Sequence, residues 1–243
     1  MNSNTKNITL YTGLILSASV ALITAAKYIY LYQLSDAENL MMNASRTDLM
    51  FFSHFYEWLI ELRISFLFHI IFGGIALFIG PLQLIKPAVR MKKIHQSLGT
   101  LYFLSVFLSA SGGLMIAGDA LGGIPARFGF TFAGVFWLGT LLISGWMLAA
   151  KDFKKHGVWM KMNFSLTFAA VTLRLEQPLL HLIGFEPEAS YQIVSWMSWI
   201  PNLIFALVYL KPVKNSILSV RETTALFSAM TAGGIIAAGR LIL

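Results

Sequence analysis

The 243-residue sequence contains no cysteine. Disulfides, thiolate metal sites, iron–sulfur clusters and covalently attached c-type haem are therefore excluded, because each of them needs a cysteine sulfur. Charged residues are scarce as well, at 12% of the chain against about 25% in an ordinary soluble domain. The sequence also lacks a phosphate-binding loop, a nucleophile elbow and an acidic metal cluster, so no common enzyme motif assigns an activity.

Apolar sequence is abundant instead, since 57% of the residues are hydrophobic. Seven apolar segments approach the length of about 20 residues that a helix needs to cross a bilayer. They lie at 8–31, 64–85, 96–117, 125–149, 157–183, 191–210 and 222–243. Lipid admits only helices or closed barrels, and no hydrophilic linker divides the chain. The sequence therefore predicts an all-α fold, a polytopic membrane bundle of seven transmembrane helices that forms a single domain over residues 1–243.

The distribution of the +7 net charge predicts a topology rather than nucleic-acid binding. Basic loops at 86–93, 151–155 and 211–221 alternate with acidic or nearly uncharged ones, and the positive-inside rule places the basic loops in the cytoplasm. The amino terminus is then cytoplasmic and the carboxyl terminus lies outside. The 34–61 loop mixes aromatic and acidic residues, which is typical of an interfacial segment on the outer surface.

Glycine pairs inside the apolar segments are expected to let helices pack closely. These pairs are Gly73-Gly74, Gly112-Gly113 and Gly233-Gly234.

One face of the fifth apolar segment is polar. At about 100° per residue, five polar side chains fall on the same side of an ideal helix. They are His156, Asn163, Thr167, Arg174 and His181. An arginine inside a spanning helix costs about 2.5–3.5 kcal/mol on insertion scales, so it should face a partner or a wet cavity. Two interpretations of Arg174 stay open: it ties helices together, or it holds an anionic group such as a haem propionate, a phosphate or a quinone oxygen.

Four histidines form two candidate pairs in this topology. His69 and His181 lie toward the outer surface, and His95 and His156 lie at cytoplasmic helix starts. Neutral imidazoles that face each other across a bundle are the usual axial ligands of b-type haem, so haem b is the first candidate cofactor. Copper, iron or zinc bound at His69 or His156 is the alternative, and so is the absence of any cofactor. His156 and His181 are ~37 Å apart along a helix, longer than the ~30 Å hydrocarbon core, which favours a single haem over a two-haem relay.

Four stretches of the sequence together resemble a known family. They are "FHIIFGGIALFIGPLQ" (68–83), "HQSLGTLYFLSVFLSASGGL" (95–114), "HGVWMKMNFSLTFAAVTLR" (156–174) and "YQIVSWMSWIPNL" (191–203). They are similar to an uncharacterised family of bacterial multi-pass membrane proteins, domain of unknown function 2306, over about residues 65 to 210. The resemblance implies a helical fold and a location in the bacterial inner membrane, and it implies no activity.

The resemblance also carries over a set of polar positions. The recurrent polar residues of the family are matched here by His69, Gln83, Arg90, His95, His156, Arg174 and Asn202. The family usually has arginine directly after the second and third of these histidines, where this chain has Gln96 and Gly157. His181 and Glu176 do not belong to the pattern.

Three functions stay open on this evidence. The first is a haem- or metal-binding protein of electron transfer or respiratory-chain support, with quinone as a candidate partner; as an enzyme it would be a membrane oxidoreductase. The second is a metal-free binding module or small-solute carrier with an anion site. Its candidate ligands are Arg174, Asn163, Thr167, Asn202 and Arg90. The third is an assembly protein that recruits another membrane protein. The lipid bilayer is a partner in all three, and nucleic acid is a partner in none.

Overall fold

A computed structural model describes residues 63–84 and 91–209, together with the single positions 19 and 23. Between residues 63 and 209, the described chain is helical and contains no strand. Its α-helices are α1 (Arg63–Leu84), α2 (Lys92–Ile116), α3 (Gly123–Ala149), α4 (Phe153–Thr167), α5 (Ala169–Leu182), α6 (Pro187–Met197) and α7 (Ile200–Tyr209). A 3₁₀ turn at Ala117–Asp119 links α2 to α3. The first and last predicted spans, the 34–61 loop, Gly233-Gly234 and Arg90 lie outside the two described ranges.

Three of the described helices are long and apolar enough to cross a membrane. The candidate spans are Ile64–Leu84, Lys92–Asp119 and Gly123–Ala149, of 21, 28 and 27 residues. At 1.5 Å per residue, each of them reaches across the ~30 Å hydrocarbon core. The all-helical prediction is confirmed for the described residues, and single helices match the second, third and fourth of the seven predicted spans.

The fifth and sixth apolar segments differ from the prediction, because the structure divides each of them. The fifth divides at Phe168 into α4 and α5, and the sixth divides at Ser198 and Trp199 into α6 and α7. The junction at Phe168 keeps right-handed helical backbone angles. Its amide still bonds the Phe164 oxygen, whereas the Val171 amide bonds the Phe168 oxygen three residues back. This spacing is a one-turn 3₁₀ tightening, so the chain continues in nearly the same direction.

Glycines allow α1 and α2 to lie in close contact. A Cβ atom on Gly112 would collide with the backbone oxygen of Ser65, and one on Gly73 would lie 2.9 Å from Ser109 Oγ. The predicted role of Gly73 and Gly112 in close helix approach is confirmed. Gly74 does not share that role, because a Cβ atom added there would have no other atom within 4 Å.

Four helix termini meet at one end of the bundle. There α1 and α3 end and α2 and α4 begin, Lys151 lies between α3 and α4, and Lys154 and Lys155 lie in the first turn of α4. We call this end the basic end. A Cβ atom on Gly80 of α1 would collide with the Phe164 ring of α4 and would lie 3.0 Å from the Tyr102 ring of α2. The last turns of α1 therefore pack against both α2 and α4.

Candidate functional site

His69 and Ser109 join α1 to α2 through a reciprocal pair of hydrogen bonds. Nδ1 of His69 lies 3.0 Å from the Ser109 backbone oxygen, and Ser109 Oγ donates to the His69 backbone oxygen at 2.7 Å. A carbonyl oxygen only accepts, so Nδ1 carries the hydrogen and Nε2 of the neutral ring keeps its lone pair. The ring packs edge-on against Trp137, with centroids 6.5 Å apart, and its Nδ1 lies 2.7 Å from where a Cβ on Gly113 would be.

His156 and Ser144 join α4 to α3 in the same way. Nδ1 of His156 lies 2.9 Å from both the Ser144 backbone oxygen and Ser144 Oγ, and Ser144 Oγ donates to the His156 backbone oxygen at 3.3 Å. Because a carbonyl oxygen only accepts, the contact with the Ser144 backbone oxygen assigns the hydrogen to Nδ1, and Nε2 of the neutral ring keeps its lone pair. Metal-binding histidines usually donate the hydrogen of their second ring nitrogen to a carboxylate or a backbone carbonyl. Two separate helix pairs therefore each present one imidazole in the tautomer that binds a metal through Nε2.

Asp152 fixes the start of α4, four residues before His156. Its Oδ1 accepts the backbone N–H of Lys155 at 3.0 Å, and its Oδ2 lies 3.3 Å from Lys155 Nζ. The hydrogen bond from the Lys155 backbone, helped by the lysine charge, lowers the pKa of Asp152. Because the pKa is lower in the folded state, this cap stabilises the helix start at pH values above the unfolded-state pKa. The stabilisation is lost as the pH falls through the folded-state pKa. The cap is therefore fully formed at neutral pH.

His95 lies near the start of α2, at the same end of the bundle as His156. The two imidazoles are within electrostatic range of each other. Nδ1 of His95 is buried and has no hydrogen-bond partner in the described part of the chain. Both histidines thus lie at the basic end, one ring fixed by Ser144 and the other without a partner at Nδ1 in the described part of the chain, and their pairing stays a prediction.

His181 makes a local contact near the end of α5. Its Nε2 lies 2.7 Å from Ser190 Oγ, and the Ser190 hydroxyl donates to the Pro187 oxygen at 2.9 Å. Because that hydroxyl has a single hydrogen, Nε2 of His181 is the donor to Ser190. The contacts of His69 described above lie on α2 and α3, whereas that of His181 lies on α6. The outer pair of His69 with His181 stays a prediction.

A buried hydrogen-bond network surrounds Asn163, between the levels of His69 and His156. The Tyr102 hydroxyl donates to Asn163 Oδ1 at 2.8 Å and lies 2.8 Å from Thr167 Oγ1. Asn163 Nδ2 donates to the Trp137 backbone oxygen at 2.7 Å and to Thr140 Oγ1 at 3.0 Å. Asn163 is fully buried and Thr167 is 3% exposed. These two predicted anion ligands thus direct their polar atoms at protein groups and connect α2, α3 and α4.

Arg174 is exposed on α5 and donates to the Ala170 oxygen of its own helix at 2.9 Å. It lies seven residues after Thr167, about two helical turns farther from the basic end. The guanidinium lies within electrostatic range of both His69 and Tyr191. The structure therefore associates Arg174 with the His69 level of the bundle rather than with the pair at the basic end.

Asn202, another predicted anion ligand, bonds to protein groups. Its Nδ2 lies 2.9 Å from Thr172 Oγ1 and 2.9 Å from the Ser198 backbone oxygen. These contacts tie α7 to α5.

Sequence reasoning missed the groups that hold the histidines. Ser109, Ser144 and Trp137 lie in apolar helices among many similar residues, and their roles depend on which helix faces meet. Gln83 was noted only as a recurrent family position. Its side chain is 9% exposed, and its Nε2 has no partner in the described part of the chain.

Comparison with known proteins supports the family resemblance. A family described as "Predicted membrane protein (DUF2306)" matches residues 66–210. The matched region runs from α1 to the end of α7, and it contains both reciprocal histidine–serine contacts and Arg174. No curated protein and no solved structure matches the chain.

Proposed function

The chain belongs to the predicted membrane protein family DUF2306, and we propose that it binds haem b between its helices and transfers electrons within the bacterial inner membrane. His95 and His156 at the basic end would hold the haem iron through their imidazoles. The observation that carries the proposal is the hydrogen bond from His156 Nδ1 to the Ser144 backbone oxygen, at the end of the bundle where His95 also lies. This bond leaves Nε2 of His156 with the lone pair that an iron ligand needs.

The set of available ligands favours haem over a bare metal ion. Zinc sites in proteins use three or four protein ligands. Across residues 63–84 and 91–209, no group of three or more His, Asp or Glu side chains is placed to hold a metal ion. A haem supplies the equatorial nitrogens itself and needs protein ligands only at its axial positions, so two imidazoles are sufficient. When bound, the haem would supply one-electron chemistry. Copper, iron or zinc at His69 or His156 would need additional ligands.

His69 and Arg174 are the proposed contacts of the electron partner, a quinone. Ser144, which holds His156, lies seven residues after Trp137, which packs on His69. Along a helix this spacing is about 10 Å. His69 therefore lies roughly that distance farther from the basic end than His156 does. Nε2 of His69 can accept a hydrogen bond from a quinol hydroxyl because Nδ1 donates to Ser109. The Arg174 guanidinium can donate to a quinone oxygen, and its charge already acts on His69.

The proposal includes seven spans with the basic end in the cytoplasm, as the positive-inside rule predicts. The absence of native cysteine allows a direct test with single cysteines at exposed positions near the two ends of the bundle. In intact cells, a membrane-impermeant maleimide is expected to label Glu186→Cys and to label Lys154→Cys only after permeabilisation. The unsubstituted protein is the blank. The reverse labelling pattern would contradict the orientation.

The haem proposal is tested on purified, detergent-solubilised protein from cells supplied with a haem precursor and with copper, iron and zinc. We expect a reduced-minus-oxidised haem b spectrum and a stoichiometric amount of extractable haem. Elemental analysis of the same sample separates the alternatives. Stoichiometric copper, zinc or non-haem iron in a colourless protein would mean that the cofactor is a metal ion and not haem. The absence of both haem and metal would reject the proposal of a cofactor.

A metal-free binding role is the second candidate, and the exposure of Arg174 on α5 favours it. An anionic ligand would then pair with the guanidinium, and Arg174→Lys would weaken its binding because a point charge does not reproduce the bidentate fork. The predicted co-ligands support it less, since Asn163 and Asn202 already bond to protein groups.

A further inference from the structure

One face of α4 carries two lysines with a glycine between them. Lys154 and Lys161 are both exposed, and a spacing of seven residues returns a helix to nearly the same direction. Gly157 lies between them, about one turn from each. A Cβ atom added to Gly157 would have no atom of the described chain within 4 Å. The helix surface therefore has a gap with an ammonium group on either side, and we call these three residues the lysine notch.

The lysine notch faces away from the interior of the bundle. Asn163 is fully buried in the network with Tyr102, and it follows Lys161 by two residues. Two residues on a helix differ in direction by about 200°, so the two side chains leave α4 on opposite sides. The partner of the notch is therefore to be sought in the surroundings of the bundle.

A neighbouring tryptophan indicates the depth of the notch in the membrane. Ser144 of α3 bonds to His156 of α4, so Trp146, two residues nearer the basic end, lies at about the level of Lys154. Trp146 is 64% exposed, and exposed tryptophans of membrane proteins concentrate at the level of the lipid headgroups. Lys154 is then at that level, and Lys161 lies about 10 Å deeper along α4.

An ammonium group at the depth of Lys161 needs an anion or a path to the headgroups. Helical side chains lean toward the start of their helix, so the Lys161 stem leads back over the turn of Gly157 toward Lys154. A compact anion in the notch would meet both ammonium groups. Among the described residues, the acid at this end is Asp152, whose carboxylate lies 3.3 Å from Lys155 Nζ. Asp152 is thus engaged by Lys155, next to the notch.

We propose that the lysine notch binds the phosphate of one anionic phospholipid of the cytoplasmic leaflet. The phosphate would accept charge-assisted hydrogen bonds from both lysines, and the missing side chain at Gly157 would let the headgroup approach the helix backbone. Anionic lipids are attracted to basic groups on the cytoplasmic side of membrane helices, in agreement with the predicted orientation of the basic end. Lipid binding here needs neither haem nor quinone, so it extends the account beyond the proposed function.

The test is a lipid titration of the delipidated, detergent-purified full chain, followed by native mass spectrometry. The probes are dioleoylphosphatidylglycerol, which is anionic, and dioleoylphosphatidylcholine, which has no net charge. We expect tighter binding of phosphatidylglycerol. Lys154→Gln and Lys161→Gln should each weaken it roughly fivefold, and the double variant about 30-fold, with phosphatidylcholine binding unchanged.

The matched control removes Lys92 and Lys93, two exposed lysines of α2 at the same end, by substitution with glutamine. It should leave phosphatidylglycerol binding unchanged. Gly157→Leu keeps both charges of the notch but fills its gap, so it should weaken binding. If the Lys154/Lys161 double variant does not fold, Gly157→Leu decides.

Three results would overturn the lipid site. Equal weakening by the two double variants would reduce it to general surface charge. Undiminished binding in Gly157→Leu would remove the gap from the site, and displacement of phosphatidylglycerol by inorganic phosphate would show that the lipid is not the ligand. A protein that binds phosphatidylglycerol as expected but carries no haem would overturn the proposed function and support the lysine notch.

Discussion

Replacing His156 by alanine is expected to abolish haem binding while the protein stays in the membrane. The substitution removes one of the two proposed axial ligands, and no neighbouring group at the basic end offers a replacement with the same fixed tautomer. It also removes the donor to the Ser144 backbone oxygen, but that oxygen belongs to a helical residue whose main structural bonds lie within α3. The measurement is haem per protein after purification, together with the yield in the membrane fraction.

The matched control for this experiment is His181→Ala. That histidine is bound to Ser190 near the opposite end of the bundle, so its removal should leave haem content unchanged. Full haem in His156→Ala would remove His156 from the ligand set. Loss of haem in His181→Ala with retention in His156→Ala would instead support the outer pair.

Gly112→Ala is expected to destabilise the bundle more than any other glycine-to-alanine change on the α1–α2 contact. The added methyl group would collide with the backbone oxygen of Ser65, and a backbone atom cannot rotate away as a side chain can. Relief requires α1 and α2 to move apart, which also stretches the contacts between His69 and Ser109. Overpacking of this kind costs about 1–3 kcal/mol, with a backbone clash at the upper end of that range.

Gly74→Ala is the control, because it adds the same methyl group to α1 in open space. Alanine also has a helix propensity better than that of glycine by roughly 1 kcal/mol, so Gly74→Ala should be neutral or stabilising. The measurement is thermal unfolding of the two variants and the parent protein in the same detergent. Equal unfolding temperatures for the two variants would mean that the helices are not as closely packed as the structure has them.

The fold was predictable to the extent that hydropathy determines it. The second to fourth apolar segments appear as single long helices because each is continuous and apolar along its whole length. The tightened turn at Phe168 was not predictable. It changes one hydrogen bond from four-residue to three-residue spacing, and residues 164 to 171 show no proline or glycine that would mark it. Pro178, the sequence signal for a perturbed helix, lies inside α5.

The candidate site was predictable in part. Helical phase placed Asn163 and Thr167 on one face with His156, and the alternation of basic loops placed His95 at the same end of the bundle as His156. What those residues bond to could not be read from the sequence. Asn163 has the same periodicity whether it faces a ligand or Tyr102, and only the packing of α2 against α4 decides between them.

The contacts of the histidine rings depend on register between helices. Ser109 lies 40 residues from His69, and Ser144 lies 12 residues from His156. A shift of either helix by one residue would turn the serine away from the ring, since successive residues differ in direction by about 100°. No local pattern in the sequence specifies such a register.

Low-temperature electron paramagnetic resonance of the oxidised, purified protein is the most direct test of ligation by the pair at the basic end. Two imidazole ligands predict a low-spin ferric signal in the wild-type protein and its loss in both His95→Ala and His156→Ala. A high-spin ferric signal in the wild-type protein, or a low-spin signal that survives both substitutions, would contradict axial ligation by His95 and His156.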